Sequence, residues 1–232
     1  MPDVAHGNFA LTTVDDLLGR ARELLALPGR TLIGVTGAPG SGKSTVTDAL
    51  RAALGDSVVV VPMDGFHLSN EILVGLGRRD RKGAPDTFDV AGYVSLLRRI
   101  RDREDDLYAP RFDRGLEQSI GSAQHVPATI PLVVTEGNYL LNDSGGWEHV
   151  RPMLDEVWFL DVDPDEIRQR LVKRRLSYGE SEEAARAWVA SVDEPNGHMV
   201  IASRHKADLV VRFLEDAPDR TVAAGAHYPK DY

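Results

Sequence analysis

Apolar positions along the chain follow two spacings in turn. Residues 13–27, TVDDLLGRARELLAL, place Val14, Leu17, Leu18, Ala21, Leu24 and Leu25 at helical intervals, and Pro28-Gly29 ends the run. RTLIGVTG then reads as a short buried strand, followed by a helix from about Gly42 to Leu54. Four more apolar runs have strand length: SVVVVPMD at 57–64, IPLVVTEG at 130–137, DEVWFLDVD at 155–163 and ADLVVRFL at 207–214. Between them, VAGYVSLLRRIRDRE sets Val94, Leu97 and Ile100 on one helical face. Asp163-Pro164-Asp165-Glu166 opens the next helix with an N-cap, a first-turn proline and a capping-box glutamate. SEEAARAWVASV is also helical, with a break expected at Glu194-Pro195-Asn196-Gly197 and a further helix to about Lys206. The stretch after Asp64, GFHLSNEILVGLGRRDRKGAPDTFD, reads as mostly irregular.

Strands alternating with helices predict an α/β fold, a parallel sheet covered on both faces. The length of 232 residues, 42% hydrophobic, suits one domain with insertions. Loops as long as the one after Asp64 are uncommon without a purpose, so that insertion is expected to be functional. No repeat or low-complexity segment interrupts the chain, and 216–232 is expected to be a poorly ordered tail.

Cysteine is absent, which removes disulfides, thiolate metal sites and thiol redox chemistry. The first residues carry no signal-peptide pattern, and the longest apolar runs fall far short of a membrane span. An intracellular, cytoplasmic protein is expected. A net charge of −9 argues against nucleic acid and anionic membranes as partners, so any basic function must be local.

The chemistry is most legible at VTGAPGSGKST. Gly37, Ala38, Pro39, Gly40, Ser41, Gly42, Lys43 and Ser44 fit G-x-x-x-x-G-K-[ST], with Thr45 following, between a strand and a helix. Such a loop aims backbone N–H groups at a polyphosphate, adds the helix dipole, brings Lys43 to the terminal phosphates and offers Ser44 to Mg²⁺. GTPases, transport ATPases, motors and kinases all use it. A guanine-reading Asn-Lys-x-Asp is missing, since His205-Lys-Ala-Asp208 lacks the amide and precedes a strand. No LSGGQ-type signature is present. Acid at strand ends instead suits phosphoryl transfer to a small hydroxyl compound.

Asp64 closes the second strand at the sheet edge where ligands bind and is the candidate base; a turn aspartate before Gly65 is the alternative. Glu136 closes the third strand and is the candidate for the metal, a metal-bound water or the acceptor. Arg168, Arg170, Lys173, Arg174 and Arg175 form a basic helix that could close over phosphate, with Arg174 chosen as the lid arginine. Arg78-Arg79-Asp80-Arg81-Lys82 is either a solvated loop or a gate for a phosphorylated or carboxylated acceptor.

VTGAPGSGKST, VPMDGFHLSN, RKGAPDTFDV, YAPRFDR, VVTEGNYLL and VDEPNGHMVIASRHKADLVV together resemble the bacterial kinases grouped with uridine kinase, phosphoribulokinase and type I pantothenate kinase, in the same order, from about Leu32 to Val211. The resemblance implies a three-layer P-loop fold of nucleoside-kinase type, with a five-stranded parallel core, helices on both faces and a helical lid. It also implies ATP and Mg²⁺ as cofactors, a small-molecule hydroxyl acceptor, an acceptor-binding insertion over about 65–128 and a lid over about 168–197. Self-association into a homodimer stays open. The family's general base maps to Asp64, its acceptor-binding acid to Asp86 in APDTFD, and its E-G glutamate to Glu136.

Two departures bear on the acceptor. Uridine kinases usually have an aromatic residue at His67 and a Y-D-F-type segment where this chain has Arg111-Phe112-Asp113-Arg114. A polyol, sugar or carboxylate acceptor thereby joins nucleosides and pantothenate as a candidate. His67, Arg111 and Asp113 are taken as acceptor contacts, while Tyr139 and Asn196 line the pocket or belong to the core. The M-D-G-F-H-L variant resembles a branch labelled nucleoside kinase-like or fructose-transport-associated kinase. The competing reading is an ATP-binding switch with slow hydrolysis and no acceptor.

Overall fold

The computed structural model describes residues 10–11 and 13–213; the tail expected over 216–232 lies outside the described residues. Its strands are β1 (Ala10–Leu11), β2 (Thr31–Thr36), β3 (Val58–Pro62), β4 (Leu107–Asp113), β5 (Gln118–Val126), β6 (Leu132–Gly137), β7 (Glu156–Leu160) and β8 (Leu209–Val211). Its α-helices are α1 (Val14–Leu25), α2 (Lys43–Leu54), α3 (Asn70–Gly75), α4 (Val90–Arg101), α5 (Pro164–Ser177), α6 (Glu182–Trp188) and α7 (Glu194–Ala202).

The main sheet runs β1-β8-β7-β2-β6-β3, and every pairing in it is parallel. The five predicted strands form its body. The two-residue β1 extends the edge beside β8 and is too short to carry a periodic signal. Side chains on successive positions face opposite layers. Ile33, Val35, Val58, Val60, Leu132, Val134, Trp158 and Leu160 pack under Leu17, Ala21 and Leu24 of α1 and Val46 and Leu50 of α2. Leu32, Val61, Val133, Val157 and Phe159 pack the other way, against Tyr93, Leu97 and Ile100 of α4. The sheet is thus buried on both faces, which is why its strands read as continuous apolar runs.

Register carries the functional consequence. Val35 and Pro62 both align with Glu136, and Thr36 aligns with Gly137. The loops leaving β2, β3 and β6 therefore start at one level on the carboxyl edge of the sheet, where open parallel sheets bind ligands.

Three expectations are corrected. The stretch 65–89, expected to be mostly irregular, contains α3 and 3-10 turns at Arg79–Arg81 and Pro85–Thr87, and beyond α4 the insertion adds the antiparallel hairpin β4–β5. The hairpin eludes a period-2 reading because β5 is largely exposed and a register shift between Ala109 and Arg111 breaks the alternation of β4. The break expected at Glu194–Gly197 is helical: α6 passes through a π-helical turn at Val189–Asp193 directly into α7. Pro195 sits in the first turn of α7, where its missing N–H costs little. That helix ends at Ala202, with a 3-10 turn over Arg204–Lys206. Among the described residues no helix is long and apolar enough to cross a membrane.

Candidate active site

The loop between β2 and α2 is built to approach a ligand with its backbone. Gly37, Gly40 and Gly42 have φ of 151°, 82° and 91°, in the region that favours glycine. A Cβ on Gly37 would lie 2.7 Å from Ser41 Oγ and 2.8 Å from the Leu160 carbonyl oxygen. No side chain caps α2, and its first turn carries no acid, so the leading amides stay available to an anion. Ser41 is buried, and its Oγ has no hydrogen-bond partner among the described residues. An uncapped helix start with an orphaned hydroxyl beside it fits a polyphosphate.

Lys43 opens α2 and folds back over the loop, donating from Nζ to the carbonyls of Gly37 (2.9 Å) and Ala38 (3.0 Å). Burial lowers its pKa to about 8; Glu136 and Asp64 pull it back up, and Arg174 adds to the lowering. Ser44 donates to Glu136, with both carboxylate oxygens at 3.2 Å. Burial raises the Glu136 pKa, and Lys43 opposes that rise. Among the described residues no group of three or more His, Cys, Asp or Glu side chains gathers to hold a metal. The Ser44 hydroxyl and Glu136 carboxylate are hard oxygen donors, and a magnesium ion brought in on phosphates needs few protein ligands and keeps several waters. The pair fits that ion.

One cavity of about 1900 Å³ runs from the start of α1 and the face of α2 across this loop and on under the insertion and the lid. Asp64 lines it from the turn after β3 and faces Arg114 Nη2 at 3.5 Å. The turn is tight: a Cβ on Gly65 would lie 2.3 Å from the Pro110 carbonyl oxygen, so glycine lets the hairpin close against the Asp64 turn. His67 lines the cavity too, its ring 4.0 Å from Phe88 and 4.9 Å from Phe112 between centroids. Its Nδ1 lies 2.9 Å from the Asp64 carbonyl oxygen. A carbonyl only accepts, so Nδ1 carries the proton and Nε2 of the neutral ring is an acceptor. Burial lowers the His67 pKa, favouring that neutral ring.

The other sequence candidates divide. Asn196 and Arg174 line the cavity. Among the described residues Arg174 forms no ion pair, yet its charge acts on both Lys43 and Asp193. Three other expected acceptor contacts, Arg111, Asp113 and Asp86, do not line the wall. Phe112, in β4, and Arg114, in the hairpin turn after it, line the cavity, whereas Arg111 and Asp113 do not. Asp113 Oδ1 instead accepts from the amides of Gly115 and Leu116, holding the hairpin turn. Asp86 is paired with Arg78 and Arg81, the latter holding its pKa below the usual carboxylate range. Tyr139 is buried behind the wall, where its hydroxyl donates to the Gly83 carbonyl at 2.5 Å.

Several further residues line the wall, of which the sequence reading passed over Asp193 and gave Lys82, Arg170 and Arg175 only as members of basic runs. Lys82 belongs to the run left open between loop and gate; its side chain is 7% exposed and lines the cavity. Arg170 donates to the Gly40 carbonyl at 3.2 Å and pairs with Glu166. Arg175 lies over Trp188, 4.5 Å from the ring centroid, and pairs with Glu180. The π-helical turn brings Asp193 to the wall, and burial raises its pKa against the pull of Arg174 and Arg175. His205-Lys-Ala-Asp208 serves the fold: the Asp208 carboxylate accepts from Arg151 and from the Val157 amide.

No family model matches the chain. Over 192 residues it is 35% identical to an uncharacterized Escherichia coli K12 protein, YggC, a match covering 81% of this chain and 79% of that one. Over 181 residues it is 36% identical to the provisionally named uridine kinase C227.14 of Schizosaccharomyces pombe, covering 73% and 76%. A crystal structure of a provisionally named fructose transport system kinase from Silicibacter sp. TM1040 superposes with a TM-score of 0.79 at 38% identity, covering 86% of this chain and 99% of that one. With the phosphate loop, the acids at the carboxyl edge and a three-layer parallel α/β fold in place, the chain belongs to the P-loop small-molecule kinases grouped with uridine and pantothenate kinases, ATP-dependent phosphotransferases with an alcohol group as acceptor.

Proposed function

We propose that this protein transfers the γ-phosphoryl group of ATP to a hydroxyl of a small metabolite, with Asp64 as the base, Lys43 and Arg174 as the phosphate-binding cations and a magnesium ion at Ser44 and Glu136. The observation that carries the reading is the continuity of the cavity, which joins the phosphate loop to Asp64 and the walls of the insertion. A nucleotide switch without an acceptor would have no use for the far end.

The acceptor lies between Asp64 and the lid. Asp64 accepts the hydroxyl proton as that oxygen bonds to the γ-phosphorus, and the bond from phosphorus to the β,γ-bridging oxygen breaks to release ADP. Lys43 and Arg174 offset charge on the transferring group, and the amides ahead of α2 hold the phosphates. Magnesium, when bound, would neutralise β- and γ-phosphate oxygens. Phe88, Phe112 and His67 wall off the acceptor end, and Asn196 borders it from the lid side.

The test is Asp64→Asn, assayed by mass spectrometry for phosphorylated products from a pool of nucleosides, pantothenate, sugars, polyols and glycerate. The variant should lose turnover by about 10²–10⁴-fold while binding an ATP analogue as the wild type does. Near-full activity would sink the base assignment, and absence of any product with wild-type enzyme would sink the kinase reading.

A further inference from the structure

The acceptor end of the cavity is cationic in a protein of net charge −9. Arg79, Lys82 and Arg114 line it, against the carboxylates of Asp64 and Glu117. The placement of Lys82 is the unusual one. Its side chain is 7% exposed, lies with Nζ 5.2 Å from the Phe112 ring centroid, and donates to Asn70 Oδ1 at 2.8 Å and the Glu117 carbonyl at 2.7 Å. An ammonium has three N–H bonds, and these two acceptors are uncharged. The nearest carboxylate oxygen, Glu117 Oε2, is 3.6 Å away on a side chain 57% exposed.

A largely desolvated ammonium held by two neutral oxygens, with its one carboxylate partner mostly solvated, gains from an anion on its cavity side. Burial accordingly lowers the Lys82 pKa, with Glu117 opposing. Arg114, 3.5 Å from Asp64, adds a second cation on the same wall, and both act on His67 in the aromatic corner of Phe88 and Phe112. Asp86, the acid that could have read hydroxyls, is already neutralised by Arg78 and Arg81 and lies off the wall.

We propose that the acceptor is an anionic hydroxy compound, its carboxylate or phosphate held by Lys82 with Arg114 and Arg79 while its hydroxyl meets Asp64. This rests on the kinase reading above and narrows its substrate class. The anion gives Lys82 a charged partner on the cavity side, in addition to the exposed Glu117, and draws Arg114 off Asp64, which then is free to take the hydroxyl proton. Neutral polyols and nucleosides satisfy neither requirement.

The experiment incubates wild-type enzyme, ATP and Mg²⁺ with matched sets: glycerol, glycerate and glycerol 3-phosphate; fructose and fructose 1-phosphate; pantothenol and pantothenate; and uridine. Products are identified by mass spectrometry, and kcat and KM are measured for every accepted compound. Turnover of anionic members, with kcat/KM at least about tenfold above the neutral parent, is expected; the glycerate and glycerol 3-phosphate arms distinguish carboxylate from phosphate. Lys82→Met should raise the acceptor KM about 10- to 100-fold with kcat and the KM for ATP little changed, and Lys82→Arg should recover much of the loss. Preference for neutral members overturns the anionic assignment and leaves the kinase reading standing. No product from any member overturns both. An unchanged acceptor KM in Lys82→Met, or parallel losses in kcat and ATP binding that Lys82→Arg does not repair, overturns the role of Lys82.

Discussion

Replacing Lys43 with Met should make the nucleotide-free protein more stable while disabling it. The pKa of Lys43 falls from 10.5 to about 8 because burial outweighs Glu136 and Asp64. Each pKa unit is worth about 1.4 kcal/mol, so keeping this ammonium charged costs the fold about 3 kcal/mol at neutral pH. Met has a similar length and no charge, but the Gly37 and Ala38 carbonyls lose their donor. The expected net gain is about 1–3 kcal/mol at pH 7, or a few degrees to about 10 °C in Tm for a chain of this size.

The sign of the pH dependence makes the test sharp. Below pH 8 both folded and unfolded chains carry the charge, and the cost is present in full. Between pH 8 and 10.5 the folded state sheds the proton while the unfolded state keeps it, so wild-type stability rises with pH relative to the variant. Urea denaturation of both proteins at pH 7, 8, 9 and 10 reads the difference, in which titrations common to both cancel. Polyphosphate supplies the missing counter-charge, so an ATP analogue should bind wild type more weakly above pH 8 and bind Lys43→Met weakly at every pH. Parallel stability curves from pH 7 to 10, or a variant less stable than wild type at pH 7, would refute the idea of a buried cation awaiting phosphate.

Glu136→Gln removes a charge that raises the Lys43 pKa, so the midpoint of the pH-dependent loss of ATP-analogue affinity should move to lower pH; an unmoved midpoint in titration calorimetry would contradict the coupling. Gly65→Ala forces a methyl group to within 2.3 Å of the Pro110 carbonyl and should lower stability by about 1–3 kcal/mol, read by urea denaturation. The same substitution should depress kcat by displacing Asp64 or the hairpin, and wild-type stability with wild-type kcat would show the contact to be slack. Asp64→Asn should separate turnover from ATP binding, and Lys82→Met should separate acceptor KM from ATP KM.

Much of this molecule is legible along the chain because the signals are local. The β2 and β6 strands announce themselves as apolar runs because the sheet is buried on both faces, and Gly37–Ser44 is recognisable because a backbone cradle has strict steric needs. Asp64 and Glu136 are found by one rule, that parallel sheets bind ligands at their carboxyl edge. The weakly periodic parts resist such reading. In the β4–β5 hairpin β5 is largely exposed and β4 carries a register shift, and Glu194-Pro195-Asn196-Gly197 looks like a stop because composition cannot show that proline falls in a first helical turn.

What the sequence determined by itself is a phosphate loop, the two acids at the carboxyl edge and an α/β frame, each set by spacing within a few residues. The far wall of the cavity was decided by tertiary structure. The hairpin brings Phe112 of its first strand and Arg114 of its turn to the cavity and leaves Arg111 and Asp113 off it, and ion pairs with Arg78 and Arg81 take Asp86 out of use. Burial against Asn70, Phe112 and the Glu117 carbonyl turns Lys82 from one charge in a basic run into a cation facing the cavity. A charge gains that meaning only from its desolvation and its neighbours, and both come from segments remote in the chain.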